Sequence, residues 1–96
     1  SSLGRRCLIA VSGWYEWSQK QRYLIERKDH RPVVMAGLWY DRYFTIITCE
    51  ASPDIVELHH RMPVILLRKD WRQWVEMSRT PTYLLKPFPQ GVFKFA

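Results

Sequence analysis

Residues 33–40 (VVMAGLWY) and 44–49 (FTIITC) are two apolar runs joined by a short polar turn at Asp41-Arg42. So short a connection allows only an antiparallel reversal, because parallel neighbours need a crossover of about a dozen residues or more. The runs are rich in β-branched and aromatic side chains, which suit a pleated, packed surface. They therefore read as a β-hairpin in the middle of a sheet, and the rest of the chain must supply its neighbours.

The flanking segments fit that demand. Residues 6–17 are also rich in β-branched and aromatic residues and break at Ser12-Gly13, which predicts a strand, a turn and a second strand carrying Trp14-Tyr15-Glu16-Trp17. A polar turn over 18–20 leads to residues 22–27, where Tyr23 and Ile25 fall on one face and Leu24 and Glu26 on the other. Residues 28–31 form a charged hairpin turn closed by Pro32. Ser52-Pro53 is a helix-start signal and predicts a short helix over 53–60. Pro63 ends that element, and 64–67 reads as a short strand. Trp71, Trp74 and Val75 at helical spacing predict a second helix over 70–77. Pro81, Pro87 and Pro89 make the tail a loop, with a last strand over 92–95. The expected fold is α+β: a mainly antiparallel, barrel-like β-sheet with two short helices, in one domain spanning residues 1–96.

The 96 residues suit one small domain, and a hydrophobic fraction of 47% excludes a disordered tail. Fifteen Lys+Arg against nine Asp+Glu give a net charge of +6. Such a surface attracts polyanions, nucleic acid before membrane, because no basic amphipathic helix stands out. It is equally an ordinary solubility device. Cys7 and Cys49 both sit in apolar surroundings with no CxxC or Cys/His ladder, so neither a zinc site nor a disulfide is expected. The bland reading is a reducing, cytoplasmic setting. The opening Ser1-Ser2-Leu3-Gly4 is compatible with a vector-derived remnant.

Three features carry potential chemistry. Glu16 lies among Trp14, Tyr15 and Trp17, where lost hydration would raise a carboxyl pKa towards that of a general acid–base; the alternative is a solvated residue on the polar face of an alternating strand. His59-His60 precedes Arg61-Met62-Pro63. Adjacent residues point in different directions, so one histidine is a candidate proton shuttle, against the alternative that both cap a helix C-terminus. Metal binding is not expected, since no further ligands sit at useful spacing. Trp14, Trp17 and Trp39 are candidates for a floor on which unpaired bases stack, with core packing the default.

These signals fall in a known order. Arg5-Arg6-Cys7-Leu8, Gly13-Trp14-Tyr15-Glu16-Trp17, Ala36-Gly37-Leu38-Trp39, Phe44-Thr45-Ile46-Ile47-Thr48 and His59-His60-Arg61-Met62-Pro63-Val64-Ile65-Leu66 together resemble the SRAP family. Its members are described as SOS response-associated peptidases and abasic-site processing proteins. Asp70-Trp71 with Trp74-Val75, and Leu84-Leu85-Lys86-Pro87, extend the resemblance over nearly the whole chain after Gly4. The resemblance implies a DNA-damage protein that binds single-stranded DNA and crosslinks to abasic sites. There an N-terminal cysteine supplies amine and thiol, and the ring-opened sugar aldehyde becomes a thiazolidine. It assigns acid–base roles to Glu16 and His59, and DNA binding to Arg5, Arg6, Trp14, Trp17, Thr48 and Arg61, with no cofactor and no metal.

The chain also departs from the family. Members are about twice this length, on the scale of an ordinary domain. The segment before Arg5 that carries the cysteine, an asparagine and several arginines has no counterpart here, nor has the closing Val-Ser motif. Ala10 stands where proline is usual. Cys7 belongs to an internal strand and has no free α-amine. The resemblance therefore implies a partial domain that retains Glu16 and His59 but does not crosslink. The alternatives are a non-enzymatic module that binds single-stranded DNA, or an inactive remnant. The strand beginning at Arg6 and the tail over 92–95 adjoin the absent parts, so they are the expected open edges for self-association. On DNA, such a protein would be nucleoid-associated.

Overall fold

The structure, a computed structural model, describes residues 5–96, so the opening tetrapeptide read as vector-derived lies outside the described residues. The apolar run expected at the heart of the sheet is β4 (Val33–Tyr40), and it takes that place. On one side it pairs antiparallel with β1 (Arg6–Val11), Cys7 lying opposite Gly37 and Ile9 opposite Met35. On the other it forms the predicted hairpin with β5 (Tyr43–Ile46), Trp39 opposite Phe44. Neighbours on both sides explain why Val33, Met35 and Ala36 are fully buried.

A second hairpin joins β2 (Trp14–Ser18) to β3 (Gln21–Arg27) through Gln19-Lys20. Both turn residues have positive φ, 49° and 67°, as the tightest hairpin turns require of their two central residues. The last strand expected over 92–95 is β8 (Phe93–Phe95), which pairs with β3. A third, two-stranded sheet consists of β6 (Thr48–Glu50) and β7 (Arg61–Pro63). Ile47 separates β5 from β6, and a ring of backbone bonds marks the junction. Ile47 N–H donates to Ala36 O (3.0 Å), Ala36 N–H to Val64 O (2.9 Å) and Val64 N–H to Ile47 O (2.8 Å).

The single α-helix among the described residues, α1 (Arg68–Glu76), matches the predicted helical segment except at its ends, starting two residues before it and stopping one residue short. It buries Trp74 completely, and Trp74 is tied to β1 from two directions. Its indole Nε1–H donates to Cys7 O at 3.0 Å, and Arg6 Nε donates back to Trp74 O at 2.5 Å. The same guanidinium donates to Met77 O and to Thr80 Oγ1, and lies over the Trp74 ring. The last carbonyls of a helix have no partner within it, and they carry the negative end of its dipole. With no basic residue in the last turn of α1, the compensating charge comes from β1. No helix among the described residues is long and apolar enough to cross a membrane.

Four expectations need correction. The sheets are mostly antiparallel, as expected, but no closed barrel forms among the described residues: the strands divide into β1-β4-β5, β2-β3-β8 and β6-β7. The charged turn over 28–31 joins β3 to β4, which lie in different sheets, so it closes no hairpin. The helix expected over 53–60 is a succession of turns. Ile55 and Val56 both donate to Ser52 O, and Leu58 and His59 both donate to Ile55 O, so single turns follow one another instead of a continuous ladder. Ser52 does not act as the cap, because its Oγ is buried without a partner. The strand expected over 64–67 begins earlier, as β7, because Thr48 and Cys49 offer partners to Pro63 and Met62. Residues 64–66 then continue along β4 through the Met35–Ile65 bridge and the Leu66 N–H bond to Val34 O.

The junction of β1 with α1 yields a stability prediction. Trp74→Ala removes a fully buried indole and should cost about 3–5 kcal/mol. Arg6→Met keeps the packed stem but strips charged hydrogen bonds from helix-end carbonyls, and should cost about 1.5–3 kcal/mol. Urea unfolding monitored by tryptophan fluorescence measures the loss for Arg6→Met, and circular dichroism measures it for both.

Candidate functional site

Alternation along β2 decides which of its side chains meet the rest of the protein. Trp14, Glu16 and Ser18 are half-buried on one face, and Tyr15 and Trp17 are exposed on the other. Of the three aromatics around it in sequence, Glu16 thus shares its face with Trp14 alone. The aromatics on either side of it in sequence stand behind the strand, so the enclosure expected from the sequence is only partly built. Trp14 packs edge-on against Phe93 at 5.3 Å between ring centres.

The inward face of β2 looks into a cleft of about 270 Å³. Glu16 and Trp14 line it from β2; Thr48 lines it from β6, Arg61 from β7 and His59 from the turn preceding β7. The floor is apolar, with Val11, Met35, Ile46 and Met62 among its residues. The two candidate acid–base residues, one on β2 and one in the turn before β7, therefore line one cavity.

A hydrogen-bonded chain runs along the wall opposite Glu16. Arg61 donates through Nη2 to Thr48 O at 2.9 Å and to Thr48 Oγ1 at 3.2 Å. Its backbone N–H and its carbonyl oxygen both lie 3.1 Å from His59 Nδ1. His59 is thereby fixed by the backbone of Arg61, while the side chain of Arg61 is fixed by Thr48. His59 and His60 do not point apart as expected: their rings stack, 4.7 Å between centres and 25° from parallel. The helix-capping alternative falls with the helix itself.

The remaining sequence candidates lie elsewhere. Arg6 is 5% exposed and its guanidinium is committed to α1, so it is not brought to the cleft. Arg5 sits over the rings of Trp39 and Tyr40, at 5.3 and 4.9 Å. Trp17 is exposed on the outer face of β2, where its neighbour Tyr15 carries Arg22 over its ring at 4.5 Å. Trp14, Trp17 and Trp39 thus occupy three separate places and form no common floor. Among the described residues no group of His, Cys, Asp and Glu is arranged to hold a metal ion. Both thiols are free, and burial pushes the Cys7 and Cys49 pKa values up.

Gly13 is a cleft residue that reasoning from residue chemistry missed. A Cβ there would stand 2.6 Å from the backbone carbonyl oxygen of Ile25, so β3 can approach only if this position has no side chain. That approach sets the entry of β2 and the direction of Trp14. The signal in the sequence was the glycine opening the Gly13-Trp14-Tyr15-Glu16-Trp17 motif, read there only as part of a turn.

Comparison with known proteins places this geometry in context. The family model described as SOS response associated peptidase (SRAP) matches residues 1–95. The abasic site processing protein YMR114C of Saccharomyces cerevisiae is 34% identical over 88 residues, covering 79% of this chain and 24% of the yeast protein. YedK of Escherichia coli, also an abasic site processing protein, is 29% identical over 85 residues, 76% of this chain and 38% of its own. A solved structure from Bordetella bronchiseptica superposes with a TM-score of 0.81 at 25% identity, covering 99% of this chain and 55% of that one. One from Bacteroides thetaiotaomicron gives 0.78 at 27% identity, covering 98% and 49%. The chain spans about half the length of these solved structures, and less of the two curated relatives.

The contact at Gly13 is testable against that at Gly37. Gly13→Ala forces backbone apart and should cost about 2–3 kcal/mol, at the upper end of overpacking effects. A Cβ at Gly37 meets the end of the Ile9 side chain, which can rotate, so Gly37→Ala should cost less. Thermal unfolding of the two variants gives the comparison.

Proposed function

The chain belongs to the SRAP family, and from that premise we propose that it binds single-stranded DNA at abasic sites and supplies the acid–base half of abasic-site chemistry. The supporting observation is the shared cleft, which brings Glu16 and His59 together with Thr48 and Arg61. A general acid and a general base acting on one substrate must both reach the reacting atoms within a hydrogen bond or one water. Arg61 provides the charge that binds a phosphate, and its exposure lets the strand pass along the mouth of the cleft. Trp14 offers a ring face at the inner wall. The polyanion would be met by a net charge of +6, acting in the cytoplasm at the nucleoid.

In this reading an abasic deoxyribose enters the cleft, where no base is present to clash with the apolar floor. Glu16 and His59 move protons during ring opening to the aldehyde and during imine formation or reversal. Thiazolidine closure requires a thiol and an amine on adjacent carbons. Cys7 and Cys49 lie within β1 and β6, their nitrogens are peptide amides, and burial holds both thiols protonated at neutral pH. The 96-residue chain on its own therefore binds abasic DNA without forming the crosslink.

Free cysteine supplied in solution tests the division of labour. It condenses with an abasic oligonucleotide unaided, and the chain should accelerate that condensation. Glu16→Gln or His59→Ala should remove about a hundredfold, the lower range for acid–base catalysis. An equal rate with and without the chain would leave binding alone, the non-enzymatic alternative. Without added cysteine, a denaturing gel should show no heat- and SDS-stable adduct. Such an adduct would contradict this reading, and its loss in the Cys7→Ala, Cys49→Ala double variant would assign it to those thiols.

The same chain self-associates through its outer strands. β1 and β8 are each terminal in their sheets, and a terminal strand offers backbone donors and acceptors to another copy. Light scattering at micromolar concentration should give a dimer or a larger species. A monomer with slow amide exchange along residues 6–11 would rule this out.

A further inference from the structure

A second hollow, of about 470 Å³, lies at the far end of the central sheet and takes no part in the cleft. Arg5, Trp39, Tyr40, Tyr43 and Phe44 line it. Four of these are large aromatic residues facing water, with exposures of 44% for Trp39, 70% for Tyr40, 72% for Tyr43 and 63% for Phe44. Contiguous exposed aromatics of this kind mark an interaction site more often than chance.

Strand register connects the hollow to the cleft. Residues directly opposite one another in a sheet share a face, and so do residues two apart along a strand. Val11, Met35 and Ile46 line the cleft. By that rule Trp39 shares the face of Met35, and Phe44, opposite Trp39, shares that of Ile46. Trp39 N–H donates to Arg5 O at 2.8 Å, which extends β1 along the same line. The face that floors the cleft therefore continues to Trp39 and Phe44 at one wall of the hollow, while Leu38, Tyr40, Tyr43 and Thr45 line it from the opposite face of the hairpin end. Gly37 lies midway, and there the side chains of Ile9 and Cys7 on β1 close over the backbone of β4, so a strand that reaches both places passes over Ile9. From Met35 to Trp39 is roughly 13 Å at the usual rise of a strand, about four stacked nucleotides.

The occupant must suit both the rings and the cation. Arg5 already lies over Trp39 and Tyr40, so an apolar partner would strip water from a guanidinium and return no counter-charge. A second copy, docked about a twofold axis, would bring the same patch onto itself, so each copy would add a guanidinium and no counter-charge. A single nucleic-acid strand satisfies both demands, because its bases stack on aromatic faces while its phosphates pair with arginine. We infer that this hollow is a second subsite, which stacks unpaired bases of the same strand whose abasic nucleotide occupies the cleft. The inference rests on the single-strand reading proposed above and adds a base-dependent contact away from the chemistry.

Fluorescence anisotropy with two labelled oligonucleotides of equal length and charge tests it. One carries a single abasic site with bases on both sides, and the other is abasic throughout. The wild-type chain should bind the first about tenfold more tightly, the effect of one well-stacked base. Tyr43→Ser and Phe44→Ser, at exposed hairpin positions, should abolish that difference and leave affinity for the all-abasic strand unchanged. Arg61→Gln, in the cleft, should weaken both strands alike. If both hairpin variants keep the tenfold preference while Arg61→Gln weakens binding, the second subsite is wrong and the cleft reading stands. If neither strand binds the wild-type chain at any salt concentration, both readings fall. If Phe44→Ser only lowers the mass seen in light scattering, the hollow is a contact between copies and the inference is overturned.

Discussion

The guanidinium of Arg6 is the contact on which the arrangement of sheet and helix turns. It is buried without a carboxylate, held by the carbonyl oxygens of Trp74 and Met77 and the hydroxyl of Thr80. A buried cation with nothing opposite it would be very costly. A buried helix end with orphaned carbonyls would be costly too. Each solves the other's problem, and both are placed by the same event, the docking of Trp74 onto β1. With α1 fixed against β1, the face that carries Arg6 is covered along that strand. The opposite face, with Val11, Met35 and Ile46, is left to floor the cleft.

The cleft itself is a product of strand changes. β4 holds β5 along its second half and residues 64–66 along its first. At Ile47 the chain leaves β4 and, as β6, takes β7 for its partner. That departure carries Thr48 and Arg61 out from the sheet. His59 follows because the turns from Ser52 deliver it immediately before β7. Glu16 arrives from the other side, on a hairpin whose approach depends on the absent side chain of Gly13. The polar wall and the carboxylate thus belong to different sheets, and the cavity is the space between them.

What the sequence made legible follows from how local each signal is. The β4–β5 and β2–β3 hairpins were readable because alternation and turn residues sit within a few positions of one another. Helix α1 was readable from Trp71, Trp74 and Val75 for the same reason. The helix expected over 53–60 was not formed, although Ser52-Pro53 is a sound start signal. A start signal fixes one turn, and packing of Ile55 and Ser52 into the core decided the rest. The barrel expectation failed because grouping strands into sheets depends on contacts between distant residues. At the site, period-two alternation in β2 put Glu16 and Trp14 together and removed Tyr15 and Trp17, a separation the motif string conceals. That Glu16 and His59 belong to one place came from family resemblance, since no spacing rule links residues forty-three apart. The stacking of His59 on His60 had no sequence signal at all.

The position of His59 Nδ1, equidistant from the Arg61 amide and the Arg61 carbonyl, has a consequence for proton traffic. A neutral imidazole carries its proton on one nitrogen and offers a lone pair on the other. When Nδ1 donates to the carbonyl, the neutral ring has a bare Nε2 that can take a proton, and the imidazolium so formed keeps the same bond and can return that proton from Nε2. When Nδ1 accepts from the amide, Nε2 bears the ring's one proton and serves as a hydrogen-bond donor. Both tautomers find a partner with the ring in one orientation, so the group can exchange roles without rotating. A step run forwards with Nε2 as acid can be run backwards with Nε2 as base from the same pose. The backbone around a single nitrogen thereby suits the site to a reaction that must be undone as readily as it is done.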